Sequence, residues 1–158
     1  MTTFEHNGFT YVTPEEYKSM FAVLPQDVFY SNNEVSLNGN TFFKIKTPVY
    51  EKIKKKQNEY QEKVRMLNQC AELNDKGIAL EKSGDISSAI AIYEENISGN
   101  CYPATHSFDR LIVLYRKSKD YENEIRVIKK AIKVLKMEKY KERLIKANEL
   151  LTKSKKKK

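Results

Sequence analysis

Cys101 and His106 stand five residues apart, close enough in the chain for an imidazole to draw a proton from a thiol and make a nucleophile. The residues around them argue against that use. Gly99 to Pro103 interrupts the apolar periodicity on either side, so the pair reads as part of a loop between helices. Metal chemistry is equally poor in candidates. Cys70 lies 31 positions before Cys101 with no paired ligand beside either, as a tetrahedral zinc site would require, and His6 is the only other histidine. The five glycines form no phosphate-cradling loop, and neither a Gly-x-Ser-x-Gly elbow nor a His-Glu-x-x-His helix occurs. Asp85, Asp109 and Asp120 read as helix caps or solvated groups, and Glu15-Glu16, Glu94-Glu95 and Glu122/Glu124 sit where first turns and outer faces favour carboxylates. The chain is expected to be no enzyme and to carry no metal or cofactor.

Positive charge is the remaining chemistry. The net charge is +8, yet the last six residues hold five lysines, which leaves +3 for everything before them. Lys155, Lys156, Lys157 and Lys158 form one cluster, and Lys52, Lys54, Lys55 and Lys56 form another, partly offset by Glu51 and Glu59. Both could hold nucleic-acid phosphates without sequence preference and with a steep salt dependence. The aromatics beside the second cluster, Tyr50 and Tyr60, fall at helical spacing and read as packing residues rather than base-stacking ones. Two distant cysteines and no apolar leader after Met1 favour a cytoplasmic protein, and no apolar run approaches the roughly 20 residues that cross a bilayer.

The elements that would position these groups divide at residue 48. Residues 1–48 are expected as a small α+β region. Asn7-Gly8 and Asn38-Gly39 each separate short alternating runs, and Asn-Gly accepts the positive φ angles of tight hairpin turns. Thr13-Pro14-Glu15-Glu16 places a cap, a first-turn proline and a glutamate in the order that opens a helix, expected to run to about Ala22. Phe4, Phe9, Tyr11, Tyr17, Phe21, Phe29, Tyr30, Phe42 and Phe43 crowd this region. Most are expected as core, and any left exposed would be a docking surface.

Residues 49–152 read as helical. Thr47-Pro48 opens a long helix whose stripe is Val49, Ile53, Tyr60, Val64 and Leu67, and the pattern leaves open whether it kinks near Cys70. That stripe would pack on the hairpins or on its copy in a homodimer. Leu73, Gly77 and Leu80 lie on one face of the segment that follows, Gly84 stops it, and Asp85 caps a helix with Ile86, Ala89, Ile90, Tyr93 and Ile97 inward. A second cycle carries Phe108, Leu111, Ile112 and Tyr115, a turn at Lys119-Asp120, then Ile125, Ile128, Ala131, Ile132 and Leu135. A last helix is expected from about Glu138 to Leu151, followed by a disordered basic tail over 153–158.

Shifting the chain by 35 residues superposes Asp85 on Asp120, Leu73 on Phe108 and Ile90 on Ile125. With Gly77, Gly84, Ala89 and Tyr93 at its small, turn, small and aromatic positions, the stretch over about 70–136 resembles the tetratricopeptide repeat family. The second copy keeps spacing and bulk but substitutes Ile112, Lys119, Glu124 and Ile128. The fold class expected is therefore mainly α, with tetratricopeptide-like hairpins after a small N-terminal α+β region.

That resemblance implies a groove lined by the first helix of each hairpin, offered by Asn74, Ile78, Glu81 and Lys82 and then by Asp109, Val113, Arg116 and Lys117. It implies an adaptor that binds a protein or peptide in a groove either open or filled by the N-terminal region. Ile78 and Val113 stand where a receptor for C-terminal carboxylates would use polar clamps. The alternative is a nucleic-acid-associated accessory protein using the two lysine clusters.

Overall fold

The computed structural model describes residues 1–99 and 104–156. The chain is mainly helical with a small N-terminal antiparallel sheet, and it divides into two compact units, Met1–Val64 and Arg65–Lys158. The boundary thus falls inside a helix and not at residue 48, because the first turns of that helix supply core to the hairpin region.

In the first unit, β1 (Phe4–His6) and β2 (Phe9–Val12) form one hairpin, and β3 (Glu34–Leu37) and β4 (Asn40–Lys46) form the other. Both turns use the expected dipeptide, with Asn7 and Gly8 at φ 50° and 75° and Asn38 and Gly39 at 50° and 76°. The hairpins join through β2 and β4 into one sheet of order β1-β2-β4-β3. Helix α1 (Pro14–Ser19) starts as read, with the Thr13 hydroxyl accepting from the Glu16 N–H at 3.2 Å. It stops three residues earlier than expected. A 3-10 turn at Phe21–Val23 follows, and then a one-turn α2 (Gln26–Phe29), because Pro25 holds Leu24 extended.

Alternation along the strands separates two faces. Thr10, Val12, Phe43 and Ile45 share the inner one. Val12 and Ile45 are buried there with Tyr17, Met20 and Ile53, and Tyr17 stacks on Phe43 at 3.9 Å. Helix α3 (Thr47–Ser83) runs unbroken, as the lack of any glycine or proline between Pro48 and Gly77 allows. Its apolar stripe divides: Ile53 is buried in the hairpin core, while Tyr60 and Leu67 stay exposed.

The second unit follows α3 with α4 (Ile86–Ser98), α5 (Thr105–Lys117), α6 (Tyr121–Leu135) and α7 (Lys139–Lys155). The turns after α3 and after α5 share one geometry 35 residues apart. Gly84 and Lys119 are left-handed at φ 86° and 61°, and the following N–H groups, of Asp85 and Asp120, reach back to Leu80 and Tyr115 carbonyls at 3.0 and 2.9 Å. Asp85 and Asp120 then accept from the Ser88 and Asn123 N–H groups, each at 3.1 Å. Helix α7 continues to Lys155, three residues into the stretch expected as a disordered tail. Its lysines are good helix formers near a helix C-terminus, where cations are favoured.

The core of this unit is one cluster centred on Tyr93, Phe108, Leu111, Ile128 and Tyr140. At its α3 end, Gly77 touches the ring of Tyr93 so closely that an added Cβ would lie 2.3 Å from Cε1. Beside it, buried Asn96 sets its Nδ2 within 3.0 Å of the Cys70 carbonyl, Asn74 Oδ1 and Ser107 Oγ, which ties α3, α4 and α5 by polar contacts.

Two effects compete in Gly77→Ala. Alanine gains about 1 kcal/mol of helix propensity, whereas the methyl must displace a fully buried ring whose hydroxyl is already hydrogen-bonded. Overpacking costs of about 1–3 kcal/mol should prevail. Urea denaturation is expected to give a lower midpoint for Gly77→Ala than for wild type; an equal or higher midpoint would mean the ring does not seat there.

Candidate partner-binding groove

The eight residues expected to line a groove fall on α3 and α5 at helical spacing, and the structure assigns half of them to internal work. Asn74 accepts from Ser107 at 2.6 Å as well as from Asn96. Glu81 accepts from Arg110 through both guanidinium branches, with Nε at 2.8 Å, and from the Tyr93 hydroxyl at 2.8 Å. Asp109 gathers Lys139 Nζ at 2.8 Å, Arg143 Nη1 at 2.6 Å and the Tyr140 hydroxyl at 3.1 Å. Arg116 is held by Glu124, whose side chain is fully buried; Nε lies 2.8 Å from Oε1, and the other oxygen, Oε2, has no partner among the described residues.

These pairings set the local electrostatics. The Arg110 hydrogen bonds hold the Glu81 carboxyl below its ordinary range, against a smaller upward push from burial and with help from Tyr93. Burial, then the bond to Glu81, pushes the Tyr93 phenol up to about 12. For Asp109 burial acts upward, but the bonds from Lys139 and Tyr140 and the Arg143 and Lys139 charges outweigh it and leave the carboxyl lowered. Charges that looked like partner contacts in sequence are largely satisfied within the protein.

The residues that remain available are Ile78 and Val113, half-buried, and Lys82 and Lys117, exposed. Val113, Arg116 and Lys117 come together with Ile112 and Arg143 around a cavity of about 330 Å³ between α5 and α7. The α3 residues do not reach it. Arg143 and Arg110 were missed from sequence. A further step of 35 residues from Phe108 lands on Arg143, so the period carried one signal for it; nothing local marked Arg110.

The lysine clusters are less united. Lys54 pairs with Glu16 at 3.1 Å, while Lys52, Lys55 and Lys56 border a cavity of about 320 Å³ with Pro25, Val49, Ile53 and Glu59. Lys155 lies 3.8 Å from Glu122 and Lys156 caps α7. Lys157, Lys158 and Cys101 lie outside the described residues. His106 is exposed, with its ring edge-on to Tyr93. Among the described residues no three His, Cys, Asp or Glu side chains group as metal ligands, and no helix is long and apolar enough to cross a membrane.

Comparison with protein-family models, with curated proteins and with solved structures returns no match for this chain.

The Glu81 pairing gives a pH prediction. A carboxyl lowered in the folded state contributes stability that is fully present above its unfolded value near 4.5 and is lost as pH falls through the lower folded value. Glu81→Gln should therefore cost about 1 kcal/mol at pH 7, and the deficit should close as pH drops below 4.5. Urea melts of both proteins across that range check it; a deficit constant with pH would remove the ionic role.

Proposed function

We propose that residues 70–136 are two tetratricopeptide-like hairpins closed by α7, and that the chain is a protein-interaction adaptor using the groove between α5 and α7. The observation that carries this reading is the repeated turn. Gly84-Asp85 and Lys119-Asp120 share backbone, capping and reach-back bonds at a spacing of 35 residues, and Gly77 receives the Tyr93 ring at the small and aromatic positions of the resembled family. The second hairpin keeps this geometry with a lysine in place of the glycine, which supports a repeat retained in shape after its residue signature changed.

The groove has an apolar floor in Ile112 and Val113 and a cationic rim in Arg116, Lys117 and Arg143. Arg116 and Arg143 are partly neutralised by Glu124 and Asp109, which leaves Lys117 as the charge available to a partner. Such a site suits a peptide that seats an apolar side chain and sets a carboxylate beside it. Tyr60 and Leu67 are the part of the α3 stripe that would serve pairing with a second copy. The nucleic-acid reading through Lys52, Lys54, Lys55 and Lys56 has weaker support, since Lys54 is already paired.

Peptides with an apolar residue next to one or more carboxylates, titrated into isotope-labelled protein, are the test. Amide shifts should concentrate on Val113, Lys117 and Arg143, and Val113→Asp/Lys117→Glu should weaken binding at least about tenfold, the equivalent of 1.4 kcal/mol. Peptides whose shifts map elsewhere, or whose affinity ignores that double change, would contradict the reading.

A further inference from the structure

The outer face of the N-terminal sheet buries Phe42 but otherwise takes part in neither the Val12–Ile53 core nor the groove. Strand register places Phe4, His6, Phe9, Tyr11, Phe42, Lys44 and Lys46 on it, whereas Glu5 and Glu34 have the opposite parity and fall on the other face. Four aromatic rings and three basic side chains therefore share a face of β1, β2 and β4 that bears no carboxylate. Phe4 is 41% exposed and stacks on Tyr11 at 4.9 Å, with Phe42 edge-on beneath it at 5.3 Å. Lys44 holds its ammonium 4.1 Å from the centre of the Phe9 ring and 5.9 Å from that of Tyr11.

One end of this face opens into a cavity of about 510 Å³ bordered by Phe9, Lys44 and Lys46, by Asn32 and Asn33, by the carboxylate of Asp27 and by aliphatic side chains; the two lysines outnumber the one carboxylate there. The Asn33 Nδ2 is buried with no acceptor among the described residues. Rings on an open sheet, cations interleaved with them and a neighbouring cavity with apolar walls and a few amide groups match what unpaired bases require: flat apolar surfaces to stack on, positive charge for the phosphates and amide groups for base edges.

We propose that this sheet face binds single-stranded nucleic acid, with bases stacked on Phe4 and Phe9, phosphates at Lys44 and Lys46, and one nucleotide in the cavity beside Asn33. The site lies wholly in the first unit, and it stands or falls independently of the groove. It is also distinct from the lysines of α3, none of which is on the sheet.

Fluorescence anisotropy of the full chain with ten-residue oligouridylate and oligodeoxyuridylate, which share a base and differ in the 2′-hydroxyl, at about 50 mM salt tests it. Both strands belong to the proposed class, and the tighter one assigns the sugar. Phe4→Ala should weaken binding about tenfold, as loss of a stacked base does. Lys44→Gln/Lys46→Gln should flatten the salt slope by about 1.4, since each single-strand phosphate contact contributes about 0.7. Lys52→Gln/Lys55→Gln/Lys56→Gln should leave both unchanged. Because Phe4 also packs on Tyr11, Phe4→Trp serves as the variant that keeps the ring, and it should retain binding with a wild-type circular dichroism spectrum. Absence of binding to either oligomer would overturn the proposal. So would equal affinity for a duplex of the same length, loss through the α3 lysines alone, or self-association removed by Phe4→Ala without oligomer binding.

Discussion

The contact between the Gly77 backbone and the Tyr93 ring is the constraint on which the second unit rests. A helix can approach another this closely only where one side chain is missing, and Gly77 supplies the gap at mid-helix in the 65–83 half of α3. Tyr93 fills it, and its hydroxyl then reaches Glu81. Glu81 in turn holds Arg110, so one aromatic residue on α4 fixes α3 on one side and, through a carboxylate, α5 on the other. The Asn96 contacts to Cys70, Asn74 and Ser107 join the same three helices one turn away. Such polar links contribute little net stability and much positional definition, because a shift of any helix would leave buried groups unpaired.

Those links also decide what is available to a partner. With Glu81, Asp109, Asn74 and Arg116 turned to internal use, the groove left between α5 and α7 is mostly apolar with positive charge at its rim. Buried Glu124 explains why Arg116 stays in place: among the described residues the carboxylate pairs with no other cation, and removing the arginine would strand a buried charge. Two arginines that line the cavity, Arg116 and Arg143, are thus held in place by the carboxylates of Glu124 and Asp109.

Much of this could be read along the chain because it is local. Asn7-Gly8, Asn38-Gly39, Thr13-Pro14 and the Asp85 and Asp120 caps all formed where their residue types demanded, each settled within four residues. What could not be read depends on neighbours distant in sequence. The β2–β4 pairing that merges the hairpins joins segments more than 30 residues apart, and the arginine that holds Glu81 and the partners of Asp109 lie 29 to 34 residues away. Spacing identified Val113, Arg116 and Lys117 as neighbours on one helix face, but it could not say that Arg116 was already committed to Glu124. Lys119 shows the opposite case: its residue type conceals a left-handed turn that the 35-residue period exposes.

Hydrogen exchange of wild type against Tyr93→Leu tests most directly whether this contact organises the unit. If it does, amides of residues 65–83, α4 and α5 lose protection together, while β2, β4 and the α3 residues around Ile53 keep theirs. Loss confined to α4, or spread evenly through residues 1–64 as well, would contradict it.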